Sequence, residues 1–443
     1  MVGVVAVVGC SNVGKEVDGI RGGTVAGTGS GGSSTGTGQD GGIGGSSCVP
    51  VDDGNPCTED VCDSGVPLSK PAAAGLPCSI GGTQCDGLGA CGAPRCTGAV
   101  GFAAAASASV GAGPISVKAA DLDGDGKPDL AVADSAAGTV SVLINLGNGT
   151  FAPAVDYPAG STPVSVAAMD LNGDGKPDLA LADATGNTVS VLVNLGKGTF
   201  VAAVTYPTGK SPWSVAAVDL NGDDKADLAV ANYNGASVSV LLNQGDGTFA
   251  TAVDYAAGSG SRSVAALDLN GDGKADLAVA NTMSGSVSVL LNQGGGTFAP
   301  AVDYATGTVS DAVLAADLNG DGEPDLAVTN AFSSTVSVLL NQGSGTFAPA
   351  VNYATGSTPN AVVALDLNGD QQRDLAVAST DDGKVSVLYN LGNGTFGPAQ
   401  SYATGMNPFS IAAADLDADG RQDLITANAS SNNVSVLLAT CAP

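Results

Sequence analysis

The 443-residue sequence predicts an all-β protein: a seven-bladed β-propeller of four-stranded blades, preceded by a flexible linker and a small disulfide-rich module. Three observations predict it. An acidic motif that starts at Asp121 starts again at 170, 219, 268, 317, 366 and 415, always 49 residues further on. Each unit carries four short apolar or β-branched runs bounded by Gly and Asn, and no stretch has useful helical periodicity. The last unit stops after its third run, while residues 100–109 read as a spare fourth one. Four strands in about 49 residues is the size of a propeller blade, and a shared last blade closes a ring.

The elements follow in order. Residues 1–21 begin MVGVVAVVGC, in which Val7-Val8-Gly9-Cys10 resembles a bacterial lipobox. Cys10 is then the lipidated first residue of the mature protein and a membrane tether. Only nine residues precede it and none is basic, so the start codon is expected to lie further upstream, or the segment is a stub. Residues 22–47 are almost wholly Gly, Ser and Thr, a linker with nothing to bury. Residues 48–96 hold seven of the nine cysteines and too little apolar material for a core. CxxC pairs are missing and the chain has no histidine, so disulfides are expected there rather than zinc. The segment loosely resembles cysteine-rich modules of secreted bacterial proteins.

Residues 97–443 are the propeller. In blade two, Val164–Asp170 reads as the first strand, Leu179–Ala182 as the second, Val189–Val193 as the third and Thr199–Tyr206 as the fourth. Pro153, Pro300, Pro349 and Pro398 fall in the fourth strand, which suits an outer edge because proline cannot donate to a ladder. Phe151, Phe200, Phe249, Phe298, Phe347 and Phe396 share one position, and Phe102, 49 residues before Phe151, supplies the one that blade seven lacks. In the same register Cys96 and Cys441 flank the turn that the ring leaves open. A Cys96–Cys441 disulfide is expected, leaving Cys48, Cys57, Cys62, Cys78, Cys85 and Cys91 for three bridges.

The acidic loops carry hard oxygens at positions 1, 3, 5 and 9. Loop one has Asp121, Asp123, Asp125 and Asp129. Loop two has Asp170, Asn172, Asp174 and Asp178; loop three has Asp219, Asn221, Asp223 and Asp227; loop four has Asp268, Asn270, Asp272 and Asp276. Loop five has Asp317, Asn319, Asp321 and Asp325; loop six has Asp366, Asn368, Asp370 and Asp374; loop seven has Asp415, Asp417, Asp419 and Asp423. Alternate spacing turns these side chains toward one point, which is calcium chemistry, with six to eight oxygens at about 2.3–2.6 Å. The twelfth position is Val132 or Leu181 where an EF-hand needs Glu, so this is no EF-hand. The loops crowd 23 carboxylates into seven clusters. Two charges 4 Å apart repel by roughly 4 kcal/mol at an effective dielectric of 20. Position 6 is Gly except at Asp224 and Gln371; glutamine tolerates positive φ least, so blade six is expected to bind calcium least well.

The motif DxDxDGxxDL or DxNxDGxxDL, at a turn of a four-stranded repeat, resembles the FG-GAP/VCBS repeat family, including the calcium-binding blades of integrin α-subunit propellers. The resemblance covers residues 100–443. It implies a seven-bladed propeller with about seven structural Ca2+ ions between the first and second strands of the blades. GTFAPA only approximates the family's Phe-Gly-Gly-Ala-Pro signature.

A net charge of −28 argues against nucleic acid and for a cation. Seven calcium ions would bring the formal charge to −14. Without histidine no Ser-His-Asp or Cys-His site can form, and no acid–base pair stands outside the loops, so no enzymatic activity is expected. Lys127, Lys176, Lys225 and Lys274, at position 7, are expected to face solvent. The repeats differ most on the face opposite the acidic loops, at Lys210, Trp213, Tyr233, Asn234, Arg262, Met283, Phe332 and Phe409. Those residues suggest a recognition surface. The expected function is a calcium-stabilised, non-enzymatic adhesion or recognition module outside a bacterial cell, with an unknown protein or glycan partner on a cell surface or matrix. A lectin is the alternative, with Trp213 or Tyr233 stacking on a sugar; a polysaccharide lyase stands third.

Overall fold

The second run of each blade, DLAVAD in blade one, is apolar on both faces, so it must be covered on both sides. A computed structural model shows how. It describes residues 58–63, 66–71, 84–85, 91–92 and 100–441. The chain divides into two units, the second spanning Val8–Pro94. In that unit Thr58–Asp63 pairs antiparallel with Val66–Pro71, and Gln84–Cys85 with Cys91–Gly92, so that Cys85 lies opposite Cys91 in the ladder. The linker, Cys10, the disulfide pairings and Cys96 lie outside the described residues. No helix among the described residues is long and apolar enough to cross a membrane.

The other unit contains seven antiparallel four-stranded sheets. Blade one uses Pro114–Ala120, Asp129–Asp134, Thr139–Leu143 and Val155–Pro158, from the inside outward. All six residues of Asp129–Asp134 are buried, while Val155–Pro158 is an edge exposed except at the half-buried Tyr157. The hydrophobic core is distributed between neighbouring sheets. Leu122, Val140, Leu179, Leu192 and Phe200 form one such layer between blades one and two. Blade seven consists of Pro408–Ala414, Asp423–Asn428, Asn433–Leu437 and, from the opposite end of the domain, Ala106–Ser109. Val434 pairs with Ala108, and Ala439 pairs with Phe102, so the ring closes as three strands plus one. Leu130 and Leu143 of blade one share a core layer with Ile425 and Val436 of blade seven.

The fourth strand differs from the expectation of one continuous run. Thr150–Phe151 folds back on Asn145–Gly147 as a separate small hairpin; Ala-Pro-Ala follows, and only Val155–Pro158 joins the sheet. Pro153, Pro300, Pro349 and Pro398 sit in that break, where no ladder needs a donor. The break lets each Phe turn inward beneath the previous blade. Tyr157 meets Phe200 edge-on at 5.5 Å between ring centroids, and four more Tyr–Phe pairs repeat the contact between successive blades. Phe102 completes the series on Tyr402 at 4.9 Å.

The end of the second strand shows a local conflict. Asn232, Asn281, Asn330 and Asn428 each donate an amide N–H to a buried serine, as Asn232 does to Ser239 at 2.8 Å. Blade one places Asp134 there. The Ser141 hydroxyl lies 2.6 Å from Asp134 and 2.7 Å from Asp156, with one proton for two carboxylates. Burial first, and repulsion from Asp156, push the Asp134 carboxyl up to about 7. A folded-state value above the ordinary ~3.9 means that its contribution to stability is present below about pH 4 and is lost as pH rises through about 7. Asp134→Asn is therefore expected to stabilise the protein by several degrees in Tm at pH 8 and to change little at pH 4, measured by calorimetry at the two pH values. An equal shift at both would contradict the assignment.

Candidate functional site

Each acidic loop is organised by its first and ninth residues. In loop one Asp121 accepts backbone N–H bonds from Gly124 at 2.7 Å, Asp125 at 3.1 Å and Gly126 at 2.9 Å, curling the chain around one carboxylate. Asp129 is fully buried and accepts from Leu122 at 2.9 Å, Asp123 at 3.1 Å and, across the blade, Asn145 at 2.7 Å. Asp178, Asp227, Asp276, Asp325 and Asp374 make the corresponding bonds to Asn194, Asn243, Asn292, Asn341 and Asn390; in blade seven Asp423 makes it to Ala439. The ninth carboxylate thus fastens the loop to the turn after the third strand.

The spacing put positions 1, 3, 5 and 9 around one point. Asp121, Asp123 and Asp129 present carboxylate oxygens within 4.8 Å of one another, and so do Asp415, Asp417 and Asp419. In loop one Asp125 stands outside the cluster, drawn to Lys127, and in loop seven Asp423 does, held by backbone donors. Loops two to six place Asp170, Asp219, Asp268, Asp317 and Asp366 in the role of Asp121, with Asn172, Asn221, Asn270, Asn319 and Asn368 at position 3. The lysines do not simply face solvent. Lys176, Lys225 and Lys274 place Nζ 2.6–2.7 Å from Asp174, Asp223 and Asp272, and Lys127 pairs with Asp125. These hydrogen bonds hold Asp125, Asp174, Asp223 and Asp272 below the usual carboxylate range. In loops five and six, which have no lysine, the Asn319 and Asn368 amides turn to Asp321 and Asp370 instead.

The ninth carboxylates are raised, first by burial and against the pull of their backbone donors. Asp276, Asp325 and Asp423 are pushed up to about 6 and Asp374 to about 7, with the other loop carboxylates adding repulsion. Hard oxygens in every loop, ammonium groups drawn onto four of them and buried carboxylates held above their ordinary range fit a divalent oxygen-seeking cation. Asp224 and Gln371 do adopt positive φ, at 62° and 71°. Ala418, at position 4 of loop seven, does so as well, at 60°, and the sequence reading passed over it.

The sequence reading also missed an asparagine. Asn194 Nδ2 donates to the Leu122 carbonyl of the previous blade at 2.9 Å and to Pro177 at 2.9 Å. Asn145, Asn243, Asn292, Asn341 and Asn390 repeat the interblade bond. Its signal was a turn asparagine recurring every 49 residues; periodicity alone could not show that it is buried.

On the opposite face the second residue of each inner strand forms a ring: Ile115, Val164, Trp213, Arg262, Asp311, Asn360 and Phe409. Trp213, Arg262 and Phe409 therefore lie on strands, not loops. Arg262 is buried rather than displayed; it pairs with Asp311 at 2.8 Å and stacks its guanidinium 4.9 Å from the Trp213 ring centre. Among the described residues, Arg262 Nε and Nη2, Asp311 Oδ2 and Asn360 Oδ1 find no hydrogen-bond partner. The Trp213 and Tyr233 ring centroids lie 5.7 Å apart. With Met283, Phe332 and Arg262 they line a pocket of about 590 Å³.

The FG-GAP-like repeat model matches six overlapping windows, 121–181, 170–230, 219–279, 268–328, 317–377 and 366–426. Together they span well over half of the sequence, and the chain belongs to the FG-GAP-like repeat family. No curated protein matches it in sequence. Among solved structures, virginiamycin B lyase from Staphylococcus aureus is 13% identical with a TM-score of 0.52, covering 76% of this chain and 99% of its own. A putative 6-phosphogluconolactonase from Bacteroides fragilis is 17% identical with a TM-score of 0.52, covering 67% and 86%. These likenesses are of fold. An Agrocybe aegerita lectin that recognises non-reducing terminal N-acetylglucosamine is 24% identical with a TM-score of 0.49, covering 71% and 85%.

Gln371 holds a conformation that costs an L-residue roughly 1 kcal/mol. Gln371→Gly is expected to stabilise the protein by about that amount, and Gly126→Gln to destabilise it similarly, read from urea midpoints. No change in either variant would show that position 6 bears no strain.

Proposed function

We propose that this propeller is a calcium-stabilised, non-enzymatic recognition module that works outside the cell, with the ions in the acidic loops and the ligand at the opposite mouth of the ring. The observation that carries the calcium half is the convergence of three carboxylates in loops one and seven; the five loops between repeat the motif in sequence, with an asparagine at position 3. The first, third, fifth and ninth residues of each loop would hold the ion, which would supply charge neutralisation and cross-bracing and no chemistry. At a calcium concentration about tenfold above the dissociation constant, each filled site adds on the order of 1.4 kcal/mol. Such weak sites suit extracellular calcium.

The recognition half rests on asymmetry. Loops that hold the same ion need the same residues, and they have them. The opposite mouth departs from the repeat at every blade, and there Trp213, Tyr233, Met283 and Phe332 surround a pocket on a rigid frame. The Trp213–Tyr233 platform supports a lectin as the second reading, because a flat aromatic surface suits the apolar face of a sugar.

Thermal unfolding of the full chain in calcium and in chelator, with metal content measured on the same sample, tests the first half. About seven ions and a fall in Tm of well over ten degrees on chelation are expected. No bound metal and no shift would overturn it. For the second half, the lectin reading predicts a signal on a glycan array that Trp213→Ala removes; a blank array directs the search to a protein partner.

A further inference from the structure

Six of the seven blade interfaces share one aromatic clasp at the outer rim. A tyrosine from the outer strand of one blade packs edge-on against the phenylalanine of the next, at 4.9–5.5 Å between centroids. Its hydroxyl then donates to a backbone carbonyl in the next blade's turn. Tyr157 donates to Gly198 at 3.2 Å, Tyr255 to Gly296 at 3.1 Å and Tyr402 to Val100 at 3.1 Å. Tyr206, Tyr304 and Tyr353 make the same contact at 3.4–3.5 Å.

The seventh interface, between blades seven and one, lacks the tyrosine. Tyr157 pairs with Val140 in blade one, and Ala108 occupies the same register opposite Val434 in blade seven. The receiving half is nevertheless complete. Phe151 stands where Phe200 stands in the next blade, and Gly149 stands where Gly198 offers its carbonyl. Among the described residues no donor reaches the Gly149 carbonyl in the tyrosine's place. Phe151 is half-buried, while Phe200, Phe249, Phe298, Phe347 and Phe396 are 6–7% exposed. Where the ring would lie there is a groove of about 520 Å³, lined by Ala108, Val110, Phe151, Pro153, Ala154 and Asp156 among others.

We propose that this seam groove binds a tyrosine side chain presented by a partner protein. The six filled interfaces specify the occupant: an aromatic edge for Phe151, and a hydroxyl donor for Gly149. A phenylalanine would satisfy the first and leave the carbonyl without its donor. Residues 1–99 contain no Tyr, Phe or Trp, so they do not supply the ring. The site lies at the outer rim, apart from the axial pocket and the acidic loops, and does not depend on the function proposed for either.

The test uses the full chain and N-acetyltyrosinamide as probe, with N-acetylphenylalaninamide as control, followed by ligand-detected NMR. The wild type is expected to bind the tyrosine probe with a dissociation constant on the order of millimolar, as befits one side chain, and the control at least about tenfold more weakly. Ala108→Tyr restores the pattern of the other six interfaces; it is expected to raise Tm and abolish binding of the probe. Phe151→Leu serves as a second variant, expected to weaken binding without filling the groove. Absence of binding, equal binding of the two probes, or unchanged binding to Ala108→Tyr would each overturn the proposal.

Discussion

The structure depends on one buried carboxylate per blade. The ninth residue of each acidic motif spends its oxygens on backbone donors from two places, its own loop and the turn after the third strand, as Asp178 does with Leu171 at 3.0 Å and Asn194 at 2.7 Å. A carboxylate in that setting makes strong charge-assisted bonds, and removing it would orphan buried N–H groups. It also positions the neighbouring asparagine, whose amide crosses to the previous blade. Loop, turn and blade-to-blade contact therefore hang on a single side chain. In blade seven the bond to Ala439 survives, but alanine has no amide to pass across. The interface with blade six is left to Phe102, packed on Tyr402, while between blades seven and one Asn145 still reaches the Leu416 carbonyl and the Ser410 hydroxyl accepts the Val117 N–H at 3.1 Å.

A repeat this regular makes its exceptions informative. The acidic face is nearly uniform, with the same motif in all seven loops. The axial ring is not: four apolar side chains stand beside Arg262, Asp311 and Asn360, a buried pair and an amide with polar atoms that no described residue satisfies. Burying such groups without full partners is costly. The rim has one exception among its clasps, at Ala108, and it falls where the chain ends meet.

Much of the fold was legible because the repeat has a constant period. Seven motifs 49 residues apart fixed the number of blades, and Phe102 fixed the closure, since a missing Phe at one end matched a spare one at the other. The split fourth strand was not legible. Thr199–Phe200 and Val204–Pro207 have similar composition, and only the turn geometry separates the hairpin from the edge strand. The acid spacing marked the loops where carboxylates gather but not which ones do, since Asp125 and Asp423 stand outside the clusters of loops one and seven; the positive φ of Asp224 and Gln371 followed from glycine at the same place in other blades. The lysine–aspartate pairs of the loops and the burial of Arg262 were hidden. Whether a charged side chain faces solvent or a partner depends on residues far away in sequence, here Asp311, one full repeat from Arg262.

The central claim is that seven loops hold seven calcium ions. Diffraction from crystals grown in calcium, collected at a wavelength where calcium scatters anomalously, tests it most directly. The account predicts one anomalous peak in each acidic loop, among the oxygens of its first, third, fifth and ninth residues, with loop six the weakest. A map without peaks in those loops would contradict it, and the carboxylates would then be held by lysine, asparagine and backbone donors alone.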